Sequence, residues 1–260
     1  MFLNNFDNEE EEDEEKDEIL RLIQKKKMKK KAVKINNKVK KINKIIPFKN
    51  NDKSFHERWK KGDNWLNFPH PTKVLFFSCP NAGKTTTILN CILQQDPPFK
   101  KIYVLHPDEQ SEEYNILGTD NFIFLNKVPD SINFSDRNEK SLLIIDDIDF
   151  TNLNKKDKAI LDRISGYVST HRNLSVYVTS QNFTSIFPSF RRNVDVFFIW
   201  NHIDKDSLNR IGKKCGFKNN KLLDLLDKHC KERFDNLCID GTPNSPAKLR
   251  LNAYTKIEEE

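Results

Sequence analysis

Apolar residues in this chain gather in short unbroken runs rather than in an alternating pattern. Val74-Leu75-Phe76-Phe77 and Leu142-Leu143-Ile144-Ile145 are the clearest, and the stretch 174–178 is interrupted by Ser175 alone. A run without polar interruption reads as a strand buried on both faces, the habit of a parallel sheet. Weaker runs of the same kind fall at 102–105, 122–125, 194–200 and 237–240. Between the runs the period changes. Ile88, Leu89, Ile92 and Leu93 share one face of a helix over 86–95, and Ile160, Leu161, Ile164 and Val168 do the same over 154–168. Further helices are predicted at 112–117, 205–214 and 220–232. Strands alternating with helices predict an α/β fold, with a mostly parallel central sheet and helices on both faces.

The first fifty residues do not join this pattern. Glu9 to Glu18 is almost all acid, and the stretch from Lys25 to Lys44 is rich in lysine. Such blocks cannot bury enough apolar surface to order themselves. Residues 1–50 therefore read as a charged N-terminal tail, and 51–260 as the folded domain with a small helical and strand extension at its C-terminal end. The plainest reading of the tail is a solvated, self-neutralising segment. A DNA-contacting arm and a nuclear-import signal are the alternatives. Charge adds little: 44 Lys+Arg against 38 Asp+Glu give a net charge of +6, compatible with nucleic acid without demanding it. The five cysteines form no C-x-x-C pair, which suits a reducing compartment. No apolar run approaches the ~20 residues that span a bilayer, so no membrane partner is expected.

Chemistry enters where the first apolar run stops. Ser78-Cys79-Pro80-Asn81-Ala82-Gly83-Lys84-Thr85 follows that run, leads into a predicted helix, and ends as G-x-x-x-x-G-K-[ST] ends. A loop between strand and helix turns its N–H groups inward to cradle phosphate oxygens, and the helix N-terminus adds its positive dipole end. In this reading Ser78 to Thr86 bind the phosphates of ATP, Lys84 neutralises the β- and γ-phosphates, and the Thr85 hydroxyl coordinates Mg²⁺. Serine at 78 departs from the usual glycine, and a left-handed φ there would be uncomfortable. The run at 142–145 ends in Asp146-Asp147, where carboxylates of a parallel sheet meet ligand. Asp146 is expected to hold Mg²⁺ and Asp147 to polarise the attacking water. The run at 174–178 leads to Gln181. A strand inserted between the other two would bring Gln181 to the γ-phosphate. Arg191 and Arg192, and less strongly Arg172, are candidates for an arginine finger given to a neighbouring subunit.

Several further segments fit one pattern: Phe68-Pro69-His70-Pro71, Lys101 to His106, Asp146-Asp147-Ile148-Asp149-Phe150, Gly166 to Asn173, Thr179-Ser180-Gln181, and Phe187-Pro188 through Arg191-Arg192-Asn193. Together they resemble the genome-packaging ATPases of virophages, polinton-like viruses and large DNA viruses, poxviruses included, a branch of the FtsK–HerA translocases. The resemblance runs from about Phe55 to the C-terminus. It implies a P-loop NTPase of the additional-strand type, a homo-oligomeric ring, and ATP-driven movement of double-stranded DNA into a preformed capsid. Lys84, Thr85, Asp146, Asp147 and Gln181 carry over by position. Capsid or portal-like vertex proteins are the implied partners. The implied location is intracellular, in host cytoplasm or a viral factory with the nucleus left open, and virion association is compatible with it. A helicase, another DNA-stimulated ATPase, a nucleotide kinase and a DNA-binding protein with a degenerate site are the rival readings.

Overall fold

The computed structural model describes residues 65–108, 112–115, 121–129, 135–201, 204–242, 245 and 247–258. The charged tail and the onset of the folded domain lie outside these residues.

Nine strands form one sheet, ordered β3-β2-β4-β5-β1-β6-β7-β8-β9. The first six are β1 (Lys73–Phe77), β2 (Lys101–Leu105), β3 (Phe122–Leu125), β4 (Ser141–Ile145), β5 (Leu174–Ser180) and β6 (Val196–Trp200), all paired in parallel. Then β7 (Asn236–Asp240), β8 (Leu249–Leu251) and β9 (Thr255–Lys256) continue the sheet antiparallel. Every residue of β1, β4 and β5 is buried, as their apolar runs lead one to expect, and the polar residues Lys73, Ser141, Ser175, Thr179 and Ser180 are buried with them. The predicted insertion is present: β5 lies between β1 and β4. Its register sets Phe77 opposite Ser180 and Ile145 opposite Val178. Strands β1 and β5 therefore end level, and β4 stops two residues short of them at the same edge of the sheet.

The helices are α1 (Lys84–Leu93), α2 (Glu112–Asn115), α3 (Lys155–Arg163), α4 (Ser169–His171), α5 (Pro188–Asn193), α6 (Lys205–Lys214) and α7 (Lys221–His229). A π-helical turn, Ile164–Val168, joins α3 to α4. On one face of the sheet Leu161, Ile164 and Val168, Phe190, Leu208 and Ile211, and Leu222, Leu225 and Leu226 pack on Leu75, Phe77, Leu143, Ile145, Val176 and Val178. On the other face α1 sets Ile88, Leu89 and Ile92 against Val74, Phe76, Val104 and Ile144. Aromatic rings complete that layer, with Phe76 stacked on Phe198 at 5.1 Å. Each of these fully buried side chains contributes about 1.5–3 kcal/mol through removal from water.

Several boundaries differ from the sequence expectation. Helix α1 starts at Lys84, two residues early, because the loop before it ends in a left-handed glycine. Helix α7 stops at His229, short of the expected 232, because the Asp235 carboxylate takes the N–H groups of Lys231 and Glu232 into a turn. Helix α5 was not foreseen; Pro188 at its first position sets the required φ without wasting an N–H. Strands β8 and β9 are too short to leave a pattern. They are fastened instead by Arg250, which is fully buried and donates to Asp240 Oδ2 at 2.7 Å and to the Trp65 carbonyl at 2.7 Å. All five cysteines are free, and burial pushes the Cys230 and Cys238 thiols up to about 12. Among the described residues no helix is long and apolar enough to cross a membrane.

The Arg250–Asp240 pair yields a stability prediction. Asp240→Ala leaves a buried guanidinium without its counter-charge and is expected to lower the unfolding free energy by about 3–5 kcal/mol in urea titrations. Lys101→Ala, which removes the exposed partner of Glu139, is expected to leave the midpoint nearly unchanged.

Candidate nucleotide site

The loop from β1 to α1 takes its shape from backbone conformations that few residues tolerate. Ser78 continues the strand: it is fully buried, and its N–H donates to the Ser180 carbonyl at 3.2 Å. The strain expected at this serine is not there. Left-handed geometry falls instead on Asn81, φ 57°, and on Gly83, φ 94°. Asparagine tolerates that region and glycine is at home in it. Gly83 is the N-cap of α1, and its carbonyl accepts from the Thr87 N–H and hydroxyl, both at 3.0 Å. Lys84 is buried, and its ammonium group donates to the Cys79 carbonyl at 3.0 Å. The lysine thus lies along the loop whose phosphate it is suited to neutralise.

Asp146 is almost fully buried at the end of β4. Its Oδ2 accepts from the Thr85 hydroxyl at 3.2 Å and from the Tyr114 phenol at 2.5 Å. Burial, together with the Asp146 carboxylate, pushes the Tyr114 phenol well above its usual range, so tyrosine acts here only as a donor. Asp146 Oδ1 is buried with no hydrogen-bond partner in the protein. An orphaned carboxylate oxygen beside a threonine hydroxyl is a hard-oxygen donor set, and Mg²⁺ fits it. Thr85 and Asp146 are the residues that would hold the ion.

Asp147 differs from its neighbour in every respect. It is exposed, adopts φ 53°, and its N–H donates to Thr179 Oγ1 at 3.0 Å. Aspartate is among the few residues that visit this region readily. Asp147 lines a cavity of about 860 Å³ that Pro80, Asn81, Gly83, Lys84, Thr85 and Thr86 also line. Gln181 lines the same cavity from the end of β5. Ser78, Cys79 and Ala82 do not line it and serve the loop from behind.

The arginines are elsewhere. Arg191 and Arg192 sit on α5, and neither lines the cavity of its own chain. Arg191 lies 6.0 Å over the Phe183 ring and borders a smaller depression beside Phe150 and Ser185. Arg192 is exposed. Arg172 precedes β5, at the opposite edge of the sheet, where it donates to the Ser135 carbonyl at 3.0 Å. Among the cavity residues that escaped the sequence reading are Glu113 on α2, and Arg233 and Phe234 in the connection from α7 to β7. Each is a single residue in an irregular or very short element, and no periodicity marks it.

Strand order, loop and paired acids together define a P-loop NTPase fold of the additional-strand type. No protein-family model matches the chain, and no curated protein matches it in sequence. Solved structures match in fold. The pCW3 conjugation coupling protein TcpA, a monomer form with ATPγS, superposes with a TM-score of 0.51 at 11% identity, over 72% of this chain and 61% of its own. The genome packaging NTPase B204 from Sulfolobus turreted icosahedral virus 2, in complex with AMPPCP, gives 0.49 at 13% identity, over 72% of this chain and 99% of that one. Thermomonospora curvata EccC gives 0.45 at 10% identity, over 73% and 37%. At these identities the likeness concerns the fold.

The two acids are expected to separate in experiment. Asp146→Asn should raise the Mg²⁺ concentration needed for half-maximal binding of a fluorescent ATP analogue roughly 10- to 100-fold. Asp147→Asn should leave that titration in place and depress turnover alone. Identical Mg²⁺ curves for the two variants would contradict the geometry.

Proposed function

We propose that this chain hydrolyses ATP with Mg²⁺ and couples hydrolysis to the movement of double-stranded DNA, packaging a viral genome into a preformed capsid. One observation carries the ATPase reading. Lys84, Thr85, Asp146, Asp147 and Gln181, drawn from three strands, meet at one edge of the sheet, and Lys84, Thr85, Asp147 and Gln181 line one cavity there. The loop N–H groups and Lys84 bind and orient the β- and γ-phosphates. When bound, Mg²⁺ supplies charge neutralisation on the phosphate oxygens next to Thr85 and Asp146. Gln181 orients a water in line with the γ-phosphorus. Asp147 takes the proton of that water as its oxygen bonds to phosphorus, and the bond to the β–γ bridging oxygen breaks, leaving ADP and phosphate.

The DNA and packaging parts rest on the sequence resemblance. TcpA, similar in fold, is named a conjugation coupling protein. The working form in this reading is a homo-oligomeric ring that acts inside the infected cell, at a capsid or portal-like vertex. Arg191 or Arg192 on helix α5 then completes the next subunit's site, since neither lines its own.

Two measurements test the proposal. ATP hydrolysis is expected to rise several-fold on addition of double-stranded DNA and to vanish in Lys84→Ala. Hydrolysis indifferent to DNA, with phosphoryl transfer to a nucleotide acceptor, would identify a kinase. Mixing Arg191→Ala/Arg192→Ala with Lys84→Ala, each inactive alone, should restore activity at interfaces that pair an intact cavity with an intact arginine. The finger's usual worth is about 10³–10⁵ in rate. Mixtures that co-assemble and stay inactive would place the finger elsewhere.

A further inference from the structure

We propose that Phe234 and Arg233 form the nucleobase end of the site: Phe234 is the platform on which a purine ring stacks, and Arg233 positions that platform against the P-loop. The inference rests on the reading that the cavity takes a nucleoside triphosphate.

Strand order gives the direction. The groups suited to the γ-phosphate, Asp147 and Gln181, come from β4 and β5, on one side of β1. The phosphate loop leaves β1 itself. A triphosphate bound there with its γ end toward β5 must carry its sugar and base toward the other side, over β6 and β7. Neighbouring strands lie about 4.8 Å apart, so β7 begins roughly 10 Å from β1. What stands there is the connection from α7 to β7. Because β7 runs antiparallel to β6, with Asn236 opposite Trp200, this connection emerges at the same edge of the sheet as the phosphate loop.

The connection is a built structure. Asp235 is buried, and its Oδ2 accepts from the N–H groups of Lys231 and Glu232 at 3.1 and 2.9 Å. Its Oδ1 accepts from Asn252 Nδ2 at 2.8 Å. The Trp200 indole N–H donates to the Phe234 carbonyl at 3.2 Å, tying the turn to the last residue of β6. Phe234 is half-buried and packs on the core layer that contains Leu89. Arg233 is exposed, lies 5.4 Å over the Phe234 ring, and donates to the Asn81 carbonyl at 3.4 Å. Phe234, Arg233, Thr86 and Leu89 line the cavity together. Leu89 lies about 6 Å along α1 from Thr85 at 1.5 Å per residue. The cavity therefore has a hydrogen-bonding, acidic end and an aromatic end, with the phosphate loop between them. A planar base is the ligand chemistry that an aromatic face with an adjacent guanidinium accepts.

The test is a binding comparison in Mg²⁺ on the full chain, with ATP, CTP and inorganic tripolyphosphate as ligands. The parent should prefer ATP to CTP, because a purine offers the larger stacking face. Phe234→Ala should bind ATP roughly 5- to 150-fold more weakly and lose the purine preference, yet bind tripolyphosphate as the parent does. Phe234→Trp should keep both ATP affinity and purine preference. Arg233→Ala should weaken ATP while sparing tripolyphosphate. ATP affinity unchanged in Phe234→Ala, or an equal loss for ATP and tripolyphosphate, would overturn the proposal while leaving the P-loop reading intact. Tripolyphosphate binding that survives Lys84→Ala would overturn the P-loop reading and this proposal with it.

Discussion

The structure depends on one constraint: β1, β4 and β5 are closed to water on both faces. A strand in that position has no side on which to carry a charge or an unsatisfied polar group. Polar chemistry is admitted only where a strand runs out, and parallel pairing forces all three to run out at the same edge. The P-loop, the two aspartates and Gln181 follow from this directly. They follow at or just beyond the ends of the apolar runs, and the register that sets Phe77 beside Ser180 and Ile145 beside Val178 makes them neighbours. The buried carboxylate of Asp146 at that edge is tolerated because Thr85 and Tyr114 donate to it.

The same constraint decided what could be read from the sequence. Uninterrupted runs are rare enough in a chain with 32% charged residues that β1, β4 and β5 were visible at once, and with them the residues that terminate each run. The position of β5 between the other two came from chemistry, since Gln181 needed a route to the γ-phosphate. What stayed hidden was whatever long-range contact determines. Strands β8 and β9 are held by Arg250, whose partners Asp240 and Trp65 are distant in sequence or on another element. Arg233 and Phe234 are ordinary residues in a six-residue connection, and only the antiparallel return of β7 brings them to the cavity. The serine at 78 misled for a related reason. The motif suggests where glycine is needed, but the loop here places its left-handed residues at Asn81 and Gly83.

A second line of organisation joins the site to helix α5. Strand β4 ends at the two aspartates and β5 ends at Gln181; α3, the π-helical turn and α4 form the bridge between these strands. Asp162 on that bridge accepts from the N–H and hydroxyl of Ser189, at 2.6 and 2.9 Å. In the π-helical turn Gly166 lies so close to Ser189 that a Cβ added there would meet its Cβ at 3.2 Å. The helix bearing Arg191 and Arg192 is therefore clamped, by a carboxylate cap and a close backbone approach, to the segment that spans Asp147 and Gln181. Displacement of either strand end has a short mechanical path to the arginines.

The left-handed turn at Asp147 has a bearing on what this site can become. A side chain at that position is chosen under two demands, one from the chemistry in the cavity and one from the peptide geometry that Thr179 pins from below. Aspartate and asparagine meet the second demand readily, whereas a longer acid is several-fold less at ease there. The shorter acid is thus no impoverished version of a glutamate. It is the acid that this backbone selects, and lengthening it would require the turn beneath to be redrawn in the same step. Variation at 147 and at 179 should for that reason travel together wherever this turn is kept.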